Sequence, residues 1–310
     1  MRAAFALVAA CAYKRRMIDL VIDQRRRDIG GGFEVGRVLP FAQRRMVGPF
    51  VFFDHMGPMT IAAGAPRSLD VRPHPHIGLS TVTYLYDGEI MHRDSVGSEL
   101  AIRPGEVNWM TAGRGITHSE RFEKARSQGG TMHGIQAWVG LPQEKEETDP
   151  GFWHHGQADL PEHQEKGIWW RLIVGSAYGA TAKTKFYSPI FYLHCELEPG
   201  AKLKLPDQYA ERAVYVVNGA VDAEGTTLRD GQMAVFAPSK PAELTATART
   251  KLMALGGDSI GPRFIEWNFV SSSKDRIEQA KADWRAGRMK LPDLDNQEFI
   301  PLPPDPPRHA

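Results

Sequence analysis

Two short stretches hold the residues with the strongest chemical potential. Residues 72–90 read RPHPHIGLSTVTYLYDGEI and residues 111–122 read TAGRGITHSERF. In an extended strand, residues i and i+2 project from the same face. His74 and His76 therefore form one pair of donors, with Pro75 stiffening the backbone between them. His118 and Glu120 form a second pair on another strand. If the two strands are neighbours, three imidazoles and one carboxylate converge on one point. That mixed nitrogen and oxygen set suits Fe(II), Mn(II), Co(II), Ni(II), Cu(II) or Zn(II), and it lacks the thiolates of a closed structural zinc site. Four protein ligands on a metal that prefers five or six leave positions open for chemistry. Spacing alone leaves two readings open: a ligand quartet, or two ordinary polar strand ends.

The elements that must position these residues are short strands. Between Phe33 and Val139, runs such as LSTVTYLYDGEI and ELAIRPGEVNWMTAG mix aromatic and β-branched residues, with Gly or Pro at their ends. The Asp-Gly pair at 87–88 marks a tight hairpin turn, and the glycines of AGRGITH suit a close turn ahead of His118. Residues 142–167 are charged and bounded by prolines, and read as an interdomain connection in which His154, His155 and His163 are solvated. A second β-rich half spans Trp169 to about Leu255. Its VNGAV and RDGQMAVFAP echo YDGEI and RPGEVNWMTAG, which points to an internal duplication. SSSKDRIEQAKADWRAG predicts one helix, capped by Ser272 and Asp275, with Ile277, Ala280 and Trp284 on one face and Gly287 after its end. The tail PLPPDPPRHA is too rich in proline for a helix or central strand, and is expected to run extended over the surface or fray.

Composition narrows the class. The 310 residues are 42% hydrophobic and carry 38 basic against 37 acidic side chains, for a net charge of +1. No overall field recruits nucleic acid or anionic lipid, which argues against direct DNA binding. Cys11 and Cys195 form no CxxC pair, and Cys195 reads as a small buried residue in a strand. Residues 1–16, MRAAFALVAACAYKRR, carry their basic cluster on the wrong side of a short apolar run for a secretory signal. They are expected to be a non-structural extension ahead of a cytoplasmic protein that begins its fold at Met17. No apolar stretch is long enough to span a membrane.

HPHIGLSTVTYLYDGEIMHRDSVG followed by PGEVNWMTAGRGITHSE closely resembles the pirin family of the cupin superfamily. His74, His76 and Gly88 match the first cupin motif, with Thr81 where a cupin glutamate would stand. Gly113, Gly115 and His118 fit the second motif, with glycine replacing its proline. In pirins the fourth ligand lies two residues after the last histidine, the position of Glu120 here. VFFDHMGP, WNFVSSSKDRIEQAKADWRAG and EFIPLP are also similar to the family, so the resemblance runs from about Met17 to Pro304.

The resemblance implies an all-β bicupin: two antiparallel β-barrel or jelly-roll domains with a C-terminal helix. An N-terminal cupin domain would span 17–150, and a C-terminal one 151–310. It implies iron, as Fe(II), held by His74, His76, His118 and Glu120. Aligned on Gly219, the second half places Leu205 and Asp207 where the first two histidines would be, so that half is expected to hold no metal. The implied activity is quercetin 2,3-dioxygenase-type opening of a flavonol ring by O2 with release of carbon monoxide, Glu120 being the catalytic base. The alternative the family offers is an iron- or redox-dependent regulator that binds a transcription factor or metabolic enzyme. His55, His92 with Asp94, and His133 are expected to be hydrogen-bonded strand or pocket-wall residues. Phe53, Trp109 and Met110 are expected in the core or the pocket lining.

Overall fold

Alternating apolar and polar residues, punctuated by glycine and proline, make most of the chain extended. The computed structural model describes residues 17–238 and 240–304; the expected extension over 1–16 and the last residues of the tail lie outside the described residues. In chain order the strands are β1 (Ile18–Asp23), β2 (Arg25–Asp28), β3 (Glu34–Leu39), β4 (Phe50–Ile61), β5 (Val71–His76), β6 (Leu79–Asp87), β7 (Ile90–Asp94), β8 (Glu99–Ile102), β9 (Val107–Thr111), β10 (Ile116–Arg121), β11 (Gly130–Gly140) and β12 (Gly151–His155). They continue as β13 (Glu162–Glu165), β14 (Ile168–Ala177), β15 (Ala180–Thr181), β16 (Ile190–Leu197), β17 (Lys202–Lys204), β18 (Glu211–Asn218), β19 (Ala220–Ala223), β20 (Thr226–Arg229), β21 (Gln232–Phe236), β22 (Glu243–Ala246), β23 (Thr250–Gly257), β24 (Phe264–Glu266) and β25 (Phe269–Ser271). The α-helices among the described residues are α1 (Glu123–Gln128) and α2 (Lys274–Arg285).

Each half pairs one large antiparallel sheet with a small one. The first half sets β12-β9-β6-β11-β4-β3-β2 against β5-β10-β7-β8, and the second sets β1-β21-β18-β23-β16-β14-β13 against β17-β22-β19-β20. Neither pair closes into a continuously hydrogen-bonded barrel; both are two-sheet jelly rolls. The strand order β9-β6-β11-β4 recurs as β21-β18-β23-β16, and the small sheets also correspond strand for strand. The duplication reaches single residues. Gly88 and Gly219 have φ of +90° and +102°, and a Cβ on either would lie 2.5 Å from the carbonyl oxygen of Thr131 or Arg249 respectively. Only glycine fits both turns.

The two large sheets pack face to face. Phe50, Phe53, Tyr84, Trp109 and Ile135 share one buried cluster with Tyr192, Tyr215, Met233 and Met253. Phe53 and Trp109 therefore belong to this inter-sheet core. Met110 points the other way, into a cluster with Phe52 and Trp138. Cys195 is fully buried in β16, as a small apolar residue should be.

The halves also exchange their ends. β1 adds to the second half's sheet, with Ile22 opposite Met233. β25 and α2 lie on the first half, where Phe269 bridges Ile77 and a cluster joins Ile77 to Ile277, Ala280 and Trp284. The stretch 142–167 is not a simple connection. It contributes β12 and β13, which extend the two large sheets at their edges, where charged side chains are tolerated and discourage further pairing. The cap of α2 is Ser273, whose side chain accepts from the Arg276 amide. Ser272 instead gives its amide and hydroxyl to Glu146.

The segment that leads into the proline-rich tail is tied down. Trp284 Nε1 donates to the Ile300 carbonyl at 3.0 Å, and the Ile300 amide donates to the Pro73 carbonyl at 2.8 Å. The buried Arg121 guanidinium meets Asp295 through two hydrogen bonds of 2.7 Å.

Candidate metal centre

β5 and β10 are adjacent antiparallel strands, with His118 directly opposite His74 and Ile116 opposite His76. Ahead of β10, Gly113 has φ +51°, and a Cβ there would lie 2.0 Å from the Thr148 carbonyl oxygen. The glycine sets the turn that brings His118 alongside the first pair. One ring nitrogen from each of His74, His76 and His118 falls within 4.8 Å of the others. All three rings are buried.

Their hydrogen bonds settle which nitrogen faces the common point. His74 Nδ1 donates to the Arg72 carbonyl at 2.9 Å, and His76 Nδ1 donates to the Asn268 carbonyl at 3.1 Å. A carbonyl only accepts, so each ring keeps a free lone pair on Nε2. For His118 the same result comes through a relay. Asp94 Oδ2 accepts from His92 Nε2 at 2.9 Å, which leaves His92 Nδ1 as the acceptor for His118 Nδ1 at 3.4 Å. His118 Nε2 is then a buried lone pair with no hydrogen-bond partner. Burial lowers all three imidazole pKa values, His74 to about 4 and the other two well below their ordinary range. Three neutral imidazoles grouped within 4.8 Å, with the buried His118 Nε2 left unpartnered among the described residues, fit a divalent metal ion.

Glu120 lies outside this 4.8 Å group but lines the same cavity. The register between β5 and β10 slips after His118, so that Glu120 pairs with Val71 while His118 pairs with His74. The extra residue in β5 sits at the Arg72–Pro73 step, where proline interrupts a regular ladder. The side chain of Glu120 is half-buried among apolar wall residues, and burial raises its pKa to about 7. Thr81, at the cupin glutamate position, is buried on β6 opposite Trp138 and is not a member of the triad.

The cavity measures about 330 Å³ and runs between the two sheets of the first half, within the range of about 300–1,000 Å³ usual for ligand pockets. Phe52 and Trp138 form one wall as a stacked pair, and Trp138 stands edge-on to His76. Trp267, Asn268 and Ile300 close it from the C-terminal segment. A more open groove of about 420 Å³ beside α2 contains none of the triad or Glu120. Donor chemistry, not size, locates the site.

His92 and Asp94 have more than a strand-wall role, since they orient His118. Their i, i+2 spacing repeats the signal that exposed the other pairs. Asn268 and Ile300 carried no such signal. His154 is half-buried and hydrogen-bonds Asn108 at 2.8 Å, so it is not a solvated loop residue. His55 and His133 lie away from the triad, Nε2 to Nε2 at 2.8 Å, with His55 Nδ1 2.8 Å from the Tyr215 hydroxyl across the inter-sheet core.

Two jelly rolls with a histidine triad in the first define a two-domain cupin. The family model described as Pirin matches residues 32–139, and that described as Pirin C-terminal cupin domain matches 192–290. A "Pirin-like protein" of Caulobacter vibrioides is 64% identical over 93% of this chain and all of its own length. The chain belongs to the pirin family. Among solved structures, one described as quercetin 2,3-dioxygenase from Acinetobacter baumannii superposes with a TM-score of 0.82 at 32% identity, covering 93% of this chain and 97% of that one. A second structure of that description and organism also gives 0.82, at 28% identity over 89% of this chain and 99% of that one. No helix among the described residues is long and apolar enough to cross a membrane.

Proposed function

We propose that this protein is a metal-dependent dioxygenase that opens the ring of flavonols such as quercetin, with Fe(II) the expected metal. The observation that carries the reading is the buried, unpartnered Nε2 of His118 facing two further imidazoles at the end of an aromatic-walled cavity. His74, His76 and His118 would hold the ion, with Glu120 as the fourth ligand. When bound, it supplies Lewis acidity and open coordination positions.

The chain's own residues do the rest. The stacked Trp138 and Phe52 rings offer an apolar wall along which an aryl enol can lie. Glu120 takes the enolic proton of the substrate on a carboxylate oxygen. Burial among apolar wall residues raises its affinity for that proton. The apolar walls and the Ile300 segment keep bulk water from the reacting carbon. O2 is consumed, both of its atoms enter the ring-opened ester, and the carbon between the broken bonds leaves as CO. Similarity to structures described as quercetin 2,3-dioxygenase supports this substrate class.

The test is O2 uptake and loss of quercetin absorbance with iron-loaded protein. Glu120→Gln should lower kcat by roughly 10²–10⁴, the range for loss of a general base, while a change of less than twofold removes Glu120 from that role. Absence of both O2 uptake and CO release overturns the reading. The alternative is an iron- or redox-dependent regulator, for which a partner captured under only one redox condition would be the sign.

A further inference from the structure

The cavity has a polar end that the triad does not use. Arg37 on β3, Asp54 on β4 and Gln136 on β11 are direct cross-strand neighbours, and all three line the cavity. Arg37 Nε and Nη2 donate to the two Asp54 oxygens at 2.9 and 2.8 Å. Nη1 has no partner among the described residues. Gln136 accepts from the Thr83 hydroxyl at 2.7 Å through Oε1, which leaves its Nε2 hydrogens without a partner among the described residues.

An aromatic path joins this end to the triad. Trp138 lies 5.0 Å from His76, Phe52 stacks on Trp138 at 4.0 Å and 12°, and the Arg37 guanidinium sits 4.5 Å over Phe52. A ligand lying along this row of rings would meet the metal ligands at one end and these donors at the other. The charge at the polar end selects what they read. Arg37 and the buried Asp54 already neutralise each other, so a ligand carboxylate would be a second anion beside one cation. A neutral hydroxyl can accept from Arg37 or Gln136 and donate to Asp54.

We propose that Arg37, Asp54 and Gln136 form a neutral hydrogen-bonding subsite that recognises hydroxyl groups on the far ring of a planar aryl enol. The subsite selects polyhydroxylated over unsubstituted substrates. This rests on the oxygenase reading above for the orientation of the enol.

The test is equilibrium binding, read by quenching of tryptophan fluorescence in the metal-loaded protein without O2, using quercetin and 3-hydroxyflavone. The two share the enol and differ in their remaining hydroxyls. The native protein should bind quercetin tighter by roughly 10–100-fold, since a site built to hydrogen-bond a hydroxyl penalises the analogue that lacks it. Gln136→Leu should bring the ratio of the two Kd values to within about threefold of one. Thr83→Val combined with Gln136→Leu removes both members of that hydrogen bond, and serves if the single variant folds poorly. A native ratio near one, a ratio that survives both variants, or no binding of either flavonol overturns the subsite. Binding with the expected ratio but no O2 uptake keeps the subsite and sinks the oxygenase reading instead.

Discussion

The two jelly rolls share strand order and turn glycines, yet their interiors do opposite things. In the first half, β5 and β10 place His74 opposite His118. In the second, the corresponding β17 and β22 place Leu203 opposite Leu244. Leu203, Leu205 and Leu244 are buried in a cluster with Phe191, Leu193 and Val216. Asp207, at the other histidine position, is exposed and paired with Lys204 at 2.8 Å. The backbone accepts either filling. Donors around a cavity give a site but leave buried polar groups to be satisfied; aliphatic side chains give cohesion and no chemistry. One copy of the fold lines a cavity with histidines, and its twin fills the corresponding space with aliphatic side chains.

The sharpest way to break this contrast is His118→Ala. It should abolish stoichiometric metal uptake and turnover with little change in melting temperature of the metal-free protein, as measured by elemental analysis and calorimetry. Retained metal at native stoichiometry would show that the triad is not the site. Leu244→Ala should do the reverse, costing about 2–5 kcal/mol of stability by opening a cavity, with metal content intact; denaturant unfolding reads it. If metal is lost from the folded variant, the division of labour between the halves is wrong.

Asp94→Asn probes the relay. An amide in place of the carboxylate can present its NH2 to His92 and turn that ring over, so His118 loses its fixed tautomer. Metal affinity should fall by roughly 10–100-fold, seen in competition with a chelator. An unchanged affinity would reduce His92 and Asp94 to packing.

The smallest effect concerns the seam between the halves. Burial holds His55 at a pKa of about 3 and His133 at about 4, both below the ordinary 6.5. They stay neutral in the native state, while an unfolded chain takes up their protons below pH 6.5. Their contribution is therefore complete above pH 6.5 and is lost as pH falls towards 4 and 3, with the half-buried His133 contributing less than a full proton's share because solvent screens it. Melting temperature against pH should fall over that window, and less steeply in His133→Gln. Identical slopes would remove the pair from the seam's energetics.

What the sequence by itself determined is local or repeated. Strand alternation put His74 with His76 and His118 with Glu120 on shared faces, because a pleated backbone has a period of two. The turn glycines marked the duplication, because no other residue fits their backbone. Leu205 and Asp207 showed that the second half lacks the histidines. What only the tertiary structure decided are pairings between distant residues. The Asn268 carbonyl orients His76 from 192 positions away, and Ile300 reaches the cavity because Trp284, Arg121 and Pro73 hold the segment ahead of the tail. The β5 irregularity that sets Glu120 apart from the triad, and the alignment of Arg37, Asp54 and Gln136 across three strands, depend on register. Register is fixed by which strands meet in the folded sheets, and no single strand carries that information.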